Sequence, residues 1–138
     1  MRILYSVDED PPIPALMLRV YSPSGDKNLV LAFKVDTGFA GGVMLPYDIY
    51  AKLELTLAEE PYPLIGRFAT GSTVKLYRAY TKVELEGKAV FYVYAYSSPY
   101  IAKKLVGREL LNKLKLLLNG PQRTLEVLDN PAKSPLEA

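Results

Sequence analysis

Val35-Asp-Thr-Gly-Phe-Ala-Gly-Gly-Val-Met-Leu-Pro46 decides how this chain is read. The run that feeds it, Leu29-Val-Leu-Ala-Phe-Lys-Val35, is nearly continuous in apolar character, as a strand covered on both faces would be. That strand delivers the chain directly to Asp36. An Asp at such a place can accept a backbone N–H two residues on while Gly38 supplies an unusual dihedral, which makes Asp36-Thr37-Gly38 a simple Asx turn. The clustered Gly38, Gly41 and Gly42 fit neither Gly-x-Gly-x-x-Gly nor a Gly-Lys-Ser/Thr phosphate loop, so a tight turn is the better reading of them.

Upstream, Ala15 to Val20 is a second β-favouring run, joined to Leu29–Val35 by the turn chemistry of Ser22-Pro-Ser-Gly-Asp26, and the two read as an opening hairpin. Downstream, Pro46 at a first helical position and the spacing of Ile49 and Leu53 predict a short helix over Tyr47–Leu53. Pro61 and Pro63 hold the next stretch out of regular structure until about Leu64. Strand-like segments flank Ala69-Thr-Gly-Ser72 and again Glu86-Gly-Lys88, which predicts two successive hairpins. Arg108 to Leu114 carries Leu110, Leu111 and Leu114 at helical spacing. Leu116–Leu118 and Thr124–Leu128 around Asn119-Gly-Pro121 form a last hairpin. The expectation is one all-β domain over residues 1–128 with one or two short helices, and a flexible tail over 129–138 marked by Pro131 and Pro135.

Composition narrows the chemistry. The 138 residues are 49% hydrophobic and 23% charged, which suits one soluble domain with its own core. With no Cys and no His, thiolate nucleophiles, Ser-His triads and most zinc or iron sites are excluded, so any reaction rests on carboxylates, Lys, Tyr or hydroxyls. No cofactor and no metal are expected. The net charge of +2 is mild and no Lys/Arg run exceeds Lys103-Lys104, so a nucleic-acid partner is not expected. No segment approaches the ~20 consecutive apolar residues of a membrane span, so no membrane partner is expected and a cytoplasmic location is the default. One Gln, four Asn and 11 Pro make the chain poor in residues that heat degrades.

An apolar strand into Phe33-Lys-Val-Asp-Thr-Gly38, a Phe68-Ala-Thr-Gly-Ser72 hairpin some tens of residues on, and Leu105-Val-Gly-Arg-Glu-Leu-Leu111 near the end together resemble the retropepsin-like aspartic proteases. The full string to Leu45-Pro46 looks closest to the small prokaryotic and archaeal members, whose flap often reads small residue, Asp, Gly, Ser where this chain has Ala69-Thr-Gly-Ser72. The resemblance spans about Leu29 to Leu128. It implies a closed β-barrel of the retropepsin type and a peptide-bond hydrolase. By position it makes Asp36 the catalytic carboxylate, Thr37 the hydroxyl that locks two active-site loops together across a dimer axis, and Gly38 a substrate-backbone contact. It assigns Phe39 and the flap residues Ala69, Thr70, Gly71 and Ser72 to substrate binding, and Val106, Gly107 and Arg108 to structural support.

The reaction implied needs one ionised carboxylate to activate water and a protonated neighbour to polarise the carbonyl and protonate the leaving nitrogen. One Asp-Thr-Gly and no internal repeat occur in the chain, so the second carboxylate is expected from a second copy on a two-fold axis, and the C-terminal hairpin with the N-terminal strand is the expected contact. The chain departs from the retroviral pattern at Ala40 and Gly41, where those enzymes place two Asp, and Arg108 thereby lacks the partner it has there. A different reading keeps the same fold as a catalytically idle dimer that binds peptides or serves as a scaffold. Glu59-Glu60 and Asp8-Glu9-Asp10, beside prolines, read as solvated charge. Tyr92, Tyr94 and Tyr96, at alternating strand positions, read as the cover of one sheet face.

Overall fold

A computed structural model describes residues 1–128; the expected tail over 129–138 lies outside the described residues. Along them the chain runs β1 (Arg2–Leu4), β2 (Ala15–Tyr21), β3 (Asn28–Val35), β4 (Val43–Met44), α1 (Tyr47–Lys52), β5 (Leu64–Arg67), β6 (Thr73–Leu85), β7 (Ala89–Ser97), β8 (Leu105–Val106), α2 (Arg108–Leu111), β9 (Lys115–Asn119) and β10 (Thr124–Leu128). A single 3-10 turn covers Leu55–Ala58. The chain is thus mostly β, as its alternating patterns predict. β6 sends Ala79, Thr81, Val83 and Leu85 inward and Arg78, Tyr80, Lys82 and Glu84 outward, and β7 matches it with Val93, Ala95 and Ser97 inside. Their register pairs Tyr80 with Tyr94 and Lys82 with Tyr92, so the outward rows stand side by side.

The principal sheet has the order β2-β3-β8-β4-β7-β6-β5. β2 also pairs with β6, at Leu18↔Leu85, Arg19↔Glu84 and Val20↔Val83, so the sheet is partly closed on itself. Leu16, Leu18, Val20, Phe33, Val43, Val83, Val93 and Val106 fill the interior with no exposed surface, and each such side chain contributes about 1.5–3 kcal/mol by leaving water. A second sheet, β1-β10-β9, adds Leu125 and Val127 to the same core. β1 pairs with β10 and leaves β9 as an outer edge, on which Leu117 and Leu118 are half exposed.

Three details depart from the sequence reading. β3 is not buried on both faces: only Phe33 is fully buried, and Leu29, Leu31 and Val35, at alternate positions with it, pack partly buried against the core. α2 stops at Leu111 rather than Leu114, since Lys115 must already be extended to pair with Leu128. The stretch before Pro61 is not wholly irregular, holding the 3-10 turn that buries Leu55. α1 begins after Pro46, whose carbonyl accepts from the N–H groups of Ile49 and Tyr50, and it ends where Glu54 turns left-handed at φ 58°.

Candidate active site

Asp36 leaves β3 at the point where β8, arriving from much later in the chain, slots between β3 and β4. β3 and β8 run parallel through Lys34↔Leu105 and Val35↔Val106, while β4 and β8 run antiparallel through Val43↔Val106 and Met44↔Leu105. The Asp36 N–H donates to the Val106 carbonyl at 3.0 Å. Both shoulders of the loop from Asp36 to Gly42 are therefore fixed by the same dipeptide. Within the loop Gly38 N–H donates to Asp36 Oδ1 at 2.9 Å, so the Asx turn is present, and Phe39 N–H donates to the Asp36 carbonyl at 3.1 Å. No other hydrogen bond reaches the Asp36 carboxylate among the described residues, which leaves Oδ2 unengaged.

The start of α2 seals the loop from behind. Gly107, Arg108 and Glu109 donate their N–H groups to the carbonyls of Gly42, Phe39 and Gly41 at 2.9, 2.8 and 3.2 Å. A Cβ on Gly107 would lie 2.3 Å from the Gly41 oxygen and 2.5 Å from that of Phe39, so only glycine permits this approach. Gly41 is held as closely, because a Cβ there would meet the Tyr96 ring at 2.3 Å. The Arg108 guanidinium, which lacks an acidic partner at Ala40 or Gly41, donates from Nη1 to the Thr37 carbonyl at 3.1 Å. Val106 and Gly107 are buried behind the loop, and Thr37 is exposed at its front.

A groove of about 780 Å³ runs past Asp36, lined on the loop side by Gly38, Phe39, Ala40 and Met44. Its roof is the β5–β6 hairpin, which pairs Arg67 with Thr73 and closes through Phe68 N–H to the Ser72 carbonyl and Gly71 N–H to the Phe68 carbonyl, each at 2.9 Å. Gly71 has φ +92° with open space around it, the conformation an exposed tip demands. Phe68 and Ala69 line the groove, whereas Thr70, Gly71 and Ser72 form the tip beyond it, with the Thr70 and Ser72 hydroxyls 2.9 Å apart. Of the residues singled out from the sequence, Asp36, Gly38, Phe39 and Ala69 thus share one cleft. The far wall, Tyr100 to Lys103, belongs to the turn between β7 and β8, and Leu105 beside it opens β8; the sequence reading did not single out this turn.

A second group lies one ring away from Phe39 and overturns the reading of Glu59-Glu60 as solvated charge. Glu60 accepts from Arg78 Nε at 2.7 Å and from the Tyr94 hydroxyl at 3.1 Å, because β6 and β7 bring both side chains outward beside it. Arg78 lies 3.9 Å from the centre of the Tyr94 ring and donates from Nη1 to the Tyr96 hydroxyl. Tyr96 in turn packs edge-on against Phe39, with ring centres 5.4 Å apart. The bond from Arg78, reinforced by that from Tyr94, holds the Glu60 carboxyl below its ordinary range, and the bond to Glu60 raises the Tyr94 phenol. Glu59 accepts from the hydroxyl of the fully buried Tyr50 at 2.8 Å, and burial above all raises that phenol. Of the other acidic group, Glu9 pairs with Lys34.

Among the described residues no three carboxylates gather into a possible metal site, and no helix is long and apolar enough to cross a membrane. No protein-family model matches the chain, and no curated protein matches it. Chemically, the cleft offers one carboxylate on a loop pinned by backbone hydrogen bonds, a largely apolar lining that also holds Arg67 and Lys103, and a hairpin as its roof.

Proposed function

We propose that this chain is an aspartic endopeptidase with a retropepsin-like barrel, active as a homodimer in which two copies of Asp36 face one another. The observation that carries the reading is that Asp36, at the end of a strand pinned by β8, lines a cleft roofed by the β5–β6 hairpin. A peptide threading that cleft would lie against Gly38 and Phe39 on one side and Phe68 and Ala69 on the other.

One ionised carboxylate draws a proton from water as the water attacks the scissile carbonyl. Its protonated neighbour donates a hydrogen bond to the carbonyl oxygen, and a proton then reaches the leaving nitrogen. Two carboxylates in one site cannot both ionise cheaply, so a single shared proton persists over a window of pH. The exposed Thr37 at the front of the loop and the half-exposed Leu117 and Leu118 on the unpaired edge of β9 support the expectation of a second copy.

The test compares wild type with Asp36→Asn on an unstructured peptide library at mildly acidic pH. Asn retains an acceptor for the Gly38 N–H and cannot take part in proton exchange. Cleavage confined to wild type is expected; equal cleavage by both would end the assignment. A dimer that binds peptides with neither protein cleaving would support the scaffold reading instead.

A further inference from the structure

The cleft wall differs from the rest of the interior. Met44, Leu76, Ile101 and Leu105 are 7–8% exposed and form a small apolar cluster of their own, with Phe39 and Val74 packed against it. All six line the groove, so they offer a shaped apolar wall to whatever enters. Two cations, Arg67 on the hairpin and Lys103 on the opposite side, complete the lining, and its only acid is Asp36.

Four cations elsewhere on the surface pair with carboxylates, Arg19 with Glu84 and Glu86, Lys27 with Glu54, Lys34 with Glu9 and Arg78 with Glu60, so what sets Arg67 and Lys103 apart is their place in the groove. Neither Arg67 nor Lys103 has a carboxylate within 4.0 Å among the described residues. Lys103 also lines a neighbouring cavity of about 160 Å³ with Asp8 and Glu9, but Glu9 is held by Lys34 and Asp8 forms no ion pair there.

We propose, on the basis of the peptidase reading, that the groove selects polypeptide segments in which a Glu or Asp lies close to a bulky apolar residue, with the apolar side chain on the Met44–Leu105 wall and the carboxylate meeting Arg67 and Lys103. Exposed ion pairs are individually weak, and two of them give a preference of about two- to tenfold.

Binding is measured apart from chemistry, by fluorescence anisotropy of the Asp36→Asn protein at pH 6 with a labelled Ala-Ala-Glu-Leu-Phe-Glu-Ala-Ala peptide and its Gln and Lys counterparts. The Glu peptide binds about two- to tenfold tighter than the Gln peptide, and the Lys peptide binds weakest. The Glu–Gln difference disappears in an Arg67→Gln, Lys103→Gln double variant, whose exposed substitutions leave the fold intact. Equal affinity for the Glu and Gln peptides, or a preference that survives in the double variant, overturns the inference. Wild type is assayed on the same peptides. If it cuts none while the anisotropy preference holds, the selectivity stands and the peptidase assignment falls. If it cuts all three with equal kcat/KM, the peptidase assignment stands and the selectivity falls.

Discussion

Gly107→Ala tests the architecture behind Asp36 most directly. The added methyl would sit 2.3 and 2.5 Å from two carbonyl oxygens, whereas an ordinary carbon–oxygen contact is about 3.3 Å or more. Those oxygens belong to backbone rather than to flexible side chains, so α2 and the Phe39–Gly42 loop must separate by close to 1 Å. A separation of that size breaks the bonds now at 2.8, 2.9 and 3.2 Å. Each is worth about 1 kcal/mol net, and forced overpacking adds about 1–3 kcal/mol, so the total is about 4–6 kcal/mol. That is a large share of the ~5–15 kcal/mol that holds a domain together and corresponds to a fall in Tm of about 10–25 °C. Thermal unfolding followed by far-UV circular dichroism gives the number. Gly120→Ala is the control, because no atom lies within 4 Å of its added methyl and a change within about 0.5 kcal/mol is expected. If the two variants melt within 2 °C of one another, the close approach of α2 to the loop is wrong.

Three further outcomes are expected. Glu60 has a depressed folded-state pKa, so its contribution to stability is fully present above the ordinary carboxylate value of about 4.3 and is lost as pH falls through the folded value. Urea midpoints of wild type and Glu60→Gln should therefore differ at pH 7 and converge as pH falls below the folded value; a gap independent of pH would contradict the Glu60–Arg78 pairing. If a shared proton drives hydrolysis, the rate on a substrate that does not titrate follows a bell with its maximum at roughly pH 4 to 6, and a profile flat from acid to alkali would exclude it. If the β9 edge joins two copies as proposed, Leu117→Lys with Leu118→Lys shifts sedimentation from dimer toward monomer and lowers any peptidase activity in step; an unchanged dimer moves the interface elsewhere.

Local chemistry was legible wherever neighbours in sequence are neighbours in space. Ser22 to Asp26, Gly71 and Gly87 mark turns, and Gly25, Gly71 and Gly87 do adopt positive φ. Period two along β6 and β7 reports their buried face directly. The Asp36-Thr-Gly38 motif led to the cleft because its turn is built from its own atoms. β4 and β8 were not legible as strands, since two residues carry no periodicity and their pairing is decided by partners far along the chain. Glu60 was misread for the same reason: Arg78 and Tyr94 lie 18 and 34 residues away, and nothing beside Pro61 announces them. The far wall of the cleft, from Tyr100 to Lys103, became visible only once β7 and β8 had been placed.

The insertion of β8 between β3 and β4 also sets a timetable for biosynthesis. The Asp36 loop is translated early, yet the atoms that hold it come from Val106, Gly107 and Arg108, and 71 residues separate Thr37 from Arg108. A nascent chain halted anywhere before Leu105 has the Asp-Thr-Gly sequence without the scaffold that orients it. The Asp36 loop is consequently among the later parts of the molecule to take its final shape, after the β2–β3 and β6–β7 hairpins have been synthesised.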